Sequence, residues 1–276
     1  MSQQPSPAAP APVTPRPAAT VVILRDAAAG PEVFMVVRHH EIDFASGALV
    51  FPGGKVDKPD GDPFWRDRAP KVGATPDHAF WIAAARETFE EAGLLLARKR
   101  GAKMLLSQKE THDIITGHRK KLLANETAFA DIIRTEDLEI ATDLMVHYAH
   151  WITPLGVPKR FDTHFLMVAA PADQIGAADG SESVDGLWIS PARAIADADA
   201  GKRTLVPATR MNLTKITPFK TVADAMAATR ASRVVTVLPT VERRPDGRAV
   251  KIPIEAGYGV SEYFVAAGQA TASGKA

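Results

Sequence analysis

Arg86-Glu87-Thr88-Phe89-Glu90-Glu91-Ala92-Gly93-Leu94 is the segment of this chain best equipped for chemistry. On an α-helix each residue advances about 100°, so with Glu87 at zero Glu90 falls near roughly 300° and Glu91 near roughly 40°. The three carboxylates then share one arc, and Ala83 and Ala84, within or beside it, leave room above the helix. Trp81, Ile82, Ala85, Phe89 and Ala92 fall on the opposite side, as a core face should. Like charges spaced three and four residues apart cost a helix a few tenths of a kcal/mol per pair, so something should compensate them. Hard oxygen ligands crowded on one face suit Mg²⁺ or Mn²⁺, ions that also hold substrate phosphate oxygens. The plainer alternative is a solvated acidic face.

The loop ahead of the helix bears on that choice. Phe51-Pro52-Gly53-Gly54 ends a strand with two glycines, which allow close backbone approach and free a carbonyl to face a ligand. Together the two features resemble the Nudix box: Gly, five residues, Glu, seven residues, then Arg-Glu-(apolar)-x-Glu-Glu-x-Gly-(apolar). Arg86, Glu87, Glu90, Glu91, Gly93 and Leu94 match the second half, with Thr88 where an apolar residue is usual. Gly54 matches the first half and Asp60 stands at the Glu position. Between Asp60 and Arg86 lie 25 residues rather than seven, an insertion of 18. It falls before the helix, so the helical geometry survives.

The resemblance implies a metal-dependent hydrolase that cleaves a diphosphate linkage in a nucleoside diphosphate derivative. It implies Glu87, Glu90 and Glu91 as ligands of Mg²⁺ or Mn²⁺, and Glu87 and Glu90 as catalytic. Arg86 would orient the glutamates, and Gly53 and Gly54 would meet the substrate, Gly54 through its carbonyl. The base is Glu87 or Glu182; a solvated loop acid is the plain alternative for Glu182. Arg38, Gly47 and Phe51-Pro52-Gly53-Gly54 further resemble part of the coenzyme A diphosphatase signature, with Asp43 in place of a basic residue. The insertion in the box, the helical stretch 102–135 and Trp151-Ile152-Thr153-Pro154 resemble the peroxisomal coenzyme A diphosphatase-like subgroup. Coenzyme A or acyl-coenzyme A is then the implied substrate. ADP-ribose, NADH or another nucleotide is the alternative. A non-catalytic nucleotide-sensing Nudix domain is the alternative from another class, and it normally requires lost carboxylates.

Other residues carry paired readings. Arg38 is either a guanidinium fork for a phosphate or a surface residue at a strand end. His39 and His40 border the site or are merely exposed. Lys159-Arg160 meets a phosphate or is solvated. Trp188 packs beneath the Glu182 region or belongs to the core.

The elements that must position these groups follow from pattern. Residues 20–24 and 33–38 read as an antiparallel hairpin turning at Gly30-Pro31, and 47–51 as a third strand. Residues 55–76 read as a long loop with one helical turn, and 61–76 as surface, with Phe64 and Trp65 outside the main core. Asp77 is the expected N-cap of the carboxylate helix and Gly93 its stop. Helices are expected around 104–123 and 127–133, at Ser190-Pro191, and over 207–216 and 221–230. Strands are expected over 145–152, 161–170 and 183–189, with a last hairpin of 234–241 and 249–254 turning at Asp246-Gly247. The fold class is α+β: a Nudix-type α/β/α sandwich with a mixed sheet and an added helical insertion at 102–135. One domain spans 19–265, with C-terminal helices and hairpin over about 205–256. Residues 1–18, rich in Pro and Ala, read as a disordered tail, and 266–276 as a flexible one.

Composition narrows the function classes. Lys and Arg number 33 against 32 Asp and Glu, which argues against a protein that neutralises a nucleic-acid backbone. A small phosphorylated ligand needs only a local basic patch. Cysteine is absent, which excludes disulfides, Cys-based zinc sites and a thiol nucleophile. There is no apolar run of membrane length and no secretory pattern, so a cytoplasmic protein without a membrane partner is expected.

Overall fold

The computed structural model describes residues 13–38, 48–70, 73–171 and 183–266. β1 (Arg16–Ala27) and β2 (Gly30–Arg38) form the expected antiparallel hairpin. The turn sits at Ala28-Ala29, because Ala27 and Gly30 still pair. β1 begins ahead of the Thr20 start read from sequence. Its Pro17 is tolerated because Arg16 and Pro17 face opposite neighbours. The Arg16 N–H donates to Arg160 O at 2.9 Å, while the Pro17 carbonyl accepts from Val56 N–H at 3.0 Å. The missing Pro17 N–H therefore takes nothing from the longer ladder.

β1 and β2 diverge beyond Leu24 and Val33, and the chain returns to fill the fork. β3 (Leu49–Val50) pairs with β2, and β4 (Gly53–Lys55) pairs with β1, placing Gly54 opposite Ala19. Two 3₁₀ turns follow, Lys58–Gly61 and Pro63–Asp67, then α1 (His78–Ala92). β5 (Ala97–Lys99) and β6 (Leu138–Ile140) form a small separate sheet that no pattern in the sequence signals. Between them lie α2 (Gln108–Ile114), a π-helical turn Ile115–Arg119, α3 (Lys120–Leu123) and α4 (Phe129–Thr135). The expected helix around 104 starts later, at Gln108, where Ser107 and Glu110 form a capping box. Met104 is left exposed.

β7 (Val146–Ile152), β8 (Phe161–Ala169) and β9 (Ser183–Ile189) complete the main sheet with β10 (Thr236–Val237). Its order is β10-β7-β8-β1-β2-β3, with β4 on β1 and β9 on β2. β1 with β8 and β7 with β10 are parallel and the other pairs antiparallel, so the sheet is mixed as expected. Along β1 the alternation is strict, yet both faces are buried. Ala19, Val21 and Ile23 meet the α1 side, and Val22 and Leu24 the other. On that second face pack α5 (Pro191–Asp199), α6 (Pro207–Ile216) and α7 (Val222–Ala231). Ser190 caps α5 through Arg193 N–H, with Pro191 at its first position. The three layers are therefore helix, sheet and helix. No helix among the described residues is long and apolar enough to cross a membrane.

Two expectations are corrected. The run 234–241 is not one hairpin arm. Pro239 cannot donate to a ladder, so the chain splits into β10 in the main sheet and β11 (Thr240–Arg244). β11 pairs with β12 (Gly247–Lys251), and β12 with a further strand, β13 (Glu262–Ala266). Nor are residues 61–76 all surface. Trp65 is 2% exposed and belongs to the α1-side core, with Phe64 partly buried against it. The Trp65 indole N–H finds the Pro59 carbonyl at 2.8 Å, which offsets the cost of burying it, and its ring meets Phe129 of α4 at 5.8 Å. The insertion before α1 and the helices after it thus share one core.

Arg119 couples the helical insertion to α1. Its guanidinium donates to Glu90 O at 3.0 and 2.8 Å and to Glu91 O at 3.2 Å, satisfying carbonyls that the last turn leaves open. Arg119→Ala should lower stability by about 1–2 kcal/mol, from charge-assisted hydrogen bonds and the helix dipole. Urea unfolding should show a lower midpoint with an unchanged slope. A midpoint equal to that of the parent would mean that water replaces the guanidinium at no cost.

Candidate functional site

α1 carries the carboxylates, and its ends are those the sequence indicates. Gly93 closes it in the left-handed region at φ 62°, its N–H bonded to Phe89 O. Asp77 stands at the N-cap, although its side chain makes no capping bond. The acidic side is not solvated. Ala83 and Ala84 are fully covered, and Glu87 and Glu91 are 8% and 6% exposed. The expected room above the helix is filled because β4 and the first 3₁₀ turn press on that side.

β4 fits there because it begins with two glycines. A Cβ on Gly54 would lie 2.4 Å from Glu87 Oε1, so the Glu87 carboxylate occupies the space a side chain would take. Next to it the Gly53 N–H donates to Glu91 Oε2 at 2.8 Å. The strand end and the helix are thus locked through two of the three glutamates.

Arg86 organises the rest. Its Nε and Nη2 grip Asp60 at 3.0 and 2.9 Å, in the two-pronged geometry that suits a guanidinium. Nη1 reaches Glu87 at 2.7 Å and Glu90 at 3.1 Å, and Nη2 also holds Lys55 O at 2.9 Å. Burial pulls the guanidinium pKa down, but the Asp60 hydrogen bonds and the charges of Glu87, Asp60 and Glu90 more than offset this and raise it. Burial pushes the Glu90 carboxyl above the ordinary carboxylate range, and the Arg86 charge only partly opposes that. One guanidinium meets the three carboxylates of Asp60, Glu87 and Glu90, which leaves an excess of negative charge in a half-buried place. An all-oxygen donor set with excess negative charge fits a hard divalent cation. The Asp60–Arg86 partnership was missed in the sequence, although Asp60 stands at the acid position of the motif.

Arg38 ends β2 at the same fork. Phe34 and Val36 face α1, and the β2–β9 register shifts between Val37 and Arg38. The Arg38 Nε is buried with no hydrogen-bond partner among the described residues. Arg160, by contrast, is neither solvated nor free for a phosphate. It is 6% exposed and donates to Thr153, Pro154 and Val13 carbonyls. Trp188 lies against Phe34 at 5.2 Å with the Arg25 guanidinium 4.4 Å over its ring, a core-edge role. His39, His40, Asp43, Gly47 and Glu182 lie outside the described residues.

Comparison with known proteins gives the family. Residues 62–216 match the NUDT19 Nudix domain. Acyl-coenzyme A diphosphatase NUDT19 of Homo sapiens is 25% identical over 240 residues, covering 71% of this chain and 63% of that protein. The Xenopus laevis protein of the same name is 22% identical over 228 residues, covering 68% and 60%. The chain therefore spans less than two thirds of the length of these curated relatives. Among solved structures, a NUDIX hydrolase from Alicyclobacillus acidocaldarius superposes with a TM-score of 0.61 at 26% identity, covering 78% of this chain and 96% of that one. With more than half of its length matched, the chain belongs to the NUDT19-type branch of the Nudix hydrolase family.

Proposed function

We propose that this protein hydrolyses the diphosphate linkage of a nucleoside diphosphate derivative, with coenzyme A or an acyl-coenzyme A as its substrate. The observation that carries this reading is the meeting of Glu87 and Glu91 with the Gly53-Gly54 strand end, with Arg86 joining Glu87 to Glu90. The names of the human and frog relatives support the substrate class. The intact glutamate set speaks against a purely sensing domain.

Glu87, Glu90 and Glu91 would hold Mg²⁺ or Mn²⁺, which when bound offsets phosphate charge and lowers the pKa of its water. The protein's own residues supply the rest. Arg86 fixes Glu87 and Glu90 in one arrangement, so little reorganisation is needed during reaction. Glu91 is anchored by the Gly53 N–H. Glu90 is the most exposed of the three and is held by Arg86 Nη1 at 3.1 Å, and the base that takes the proton of the attacking water would be Glu87 or Glu182. Arg38 would receive a substrate phosphate. A screen of coenzyme A, acyl-coenzyme A, ADP-ribose and NADH with Mg²⁺ and Mn²⁺ tests the reading. Coenzyme A cleavage should give 3′,5′-ADP and 4′-phosphopantetheine and should stop in EDTA. Efficient hydrolysis of ADP-ribose with none of coenzyme A would overturn the substrate assignment.

Arg38→Ala should raise KM for coenzyme A by about 10–100-fold, the worth of a charge-assisted hydrogen bond of about 1.5–3 kcal/mol. If Arg38 reads the 3′-phosphate, dephospho-coenzyme A should be affected much less. Equal losses on both substrates would place Arg38 on the shared diphosphate.

A further inference from the structure

We infer that His150, Asp162 and His164 form a second metal site, of nitrogen-rich character, that takes a borderline transition ion such as Zn²⁺. His150 on β7 pairs directly with His164 on β8, and Asp162 lies two residues along β8. A two-residue step keeps Asp162 and His164 on one face of the sheet. One ligand atom from each of the three lies within 4.8 Å of the others. The two imidazoles are stacked, with centroids 3.9 Å apart and planes 11° from parallel.

The surrounding hydrogen bonds distinguish this cluster from a chance gathering. Nδ1 of His150 lies 2.8 Å from Thr236 Oγ1 on β10, and Nδ1 of His164 lies 2.9 Å from His147 Nε2. Nδ1 of each ring is therefore engaged, so Nε2 is the ligand atom on each, that of His150 already facing Asp162. That is how metal-binding histidines are oriented and their tautomer fixed. Nε2 of His150 sits 2.5 Å from Asp162 Oδ1, a hydrogen-bonded pair whose shared proton a metal ion would displace. His164 is 7% exposed, while the side chains of His150 and Asp162 are 15% and 35% exposed, so the cluster is a wall with an opening. Three protein ligands leave a further position to water.

The site is separate from the glutamates. In the sheet Ala19 pairs with Gly54 on one side and His164 on the other, so two strand spacings, roughly 10 Å, intervene. That exceeds the separation of about 3.5–4 Å within a two-metal centre. Imidazole donors also select differently from carboxylates, favouring Zn²⁺ over Mg²⁺. The inference does not depend on the diphosphatase reading.

The test uses the untagged full chain, stripped with EDTA and returned to excess Mg²⁺ so that the carboxylate centre is filled. Co²⁺ is titrated in and followed by visible absorption, then displaced with Zn²⁺. Four-coordinate Co²⁺ with nitrogen ligands absorbs far more strongly than six-coordinate Co²⁺ among oxygens. One equivalent should bind with the strong band, and Zn²⁺ should abolish it. Asp162→Asn and His150→Gln should each weaken binding about 100-fold or more, and His147→Gln about 10-fold through loss of the outer hydrogen bond. Circular dichroism checks folding; Asp162, the most exposed of the three, is the variant that decides if His150→Gln does not fold. Absence of the strong band in the parent chain, or equal affinity in Asp162→Asn, would overturn the site and leave a proton as the occupant of the His150–Asp162 pair.

Discussion

Glu90→Gln and Glu91→Gln should each lower kcat for diphosphate hydrolysis by roughly 100-fold or more while the protein stays folded. The amide keeps side-chain size and an acceptor oxygen, so in Glu91→Gln the new side chain can still take the Gly53 N–H that now reaches Glu91 at 2.8 Å. Glu90→Gln leaves Arg86 its grip on Asp60 and Glu87. Each substitution therefore removes charge and little else. A divalent ion held by oxygens depends on that charge, and the developing charge on the phosphates depends on the ion. The effect should fall on kcat, with circular dichroism and the unfolding midpoint close to the parent values. A folded Glu90→Gln/Glu91→Gln double variant with unchanged turnover would remove these glutamates from the chemistry.

What could be read in advance divides by whether its cause is local. The limits of α1 were legible because Asp77 and Gly93 flank a run whose apolar residues recur at helical spacing. α5 and α6 were legible for similar reasons, with Ser190-Pro191 and Pro207 at their starts. The alternation in β1 and β2 announced strands but not their partners. β13 had no signal of its own, since its pairing with β12 is a tertiary choice. β5 and β6 are three residues each, too short for any period to show.

Trp65 illustrates the same limit in the core. Its neighbours Pro63, Arg66 and Asp67 look like surface, and only the later arrival of Phe129 gives the indole a place to bury. In the site, spacing alone placed three carboxylates on one side of a helix. It could not tell that β4 would cover them, so an acidic face was expected to stand open where Ala83 and Ala84 are in fact sealed. The histidine cluster was invisible because its register includes an irregularity between His147 and Ala149, which sets who faces whom across β7 and β8.

Arg86→Met should destabilise the protein by about 3–5 kcal/mol, more than its lost volume explains, because it strands a buried charge. Asp60 is 2% exposed and takes two hydrogen bonds from Arg86, with one more from the Asp57 N–H at 2.8 Å. Met keeps much of the stem and its packing but takes away the counter-charge from Asp60, Glu87 and Glu90 together. If the loss is electrostatic, Asp60→Asn should return part of it, since an amide left without the guanidinium costs less than a carboxylate. The double variant Arg86→Met/Asp60→Asn should then be more stable than Arg86→Met alone, with a coupling of about 1–3 kcal/mol in a double-mutant cycle. Urea unfolding in EDTA measures all four proteins without metal screening the glutamates. Arg86→Met within about 1 kcal/mol of the parent, or strict additivity with Asp60→Asn, would show that packing holds this corner together. The coupled outcome would mean that the acid at the displaced motif position and the arginine of the helix act as one unit.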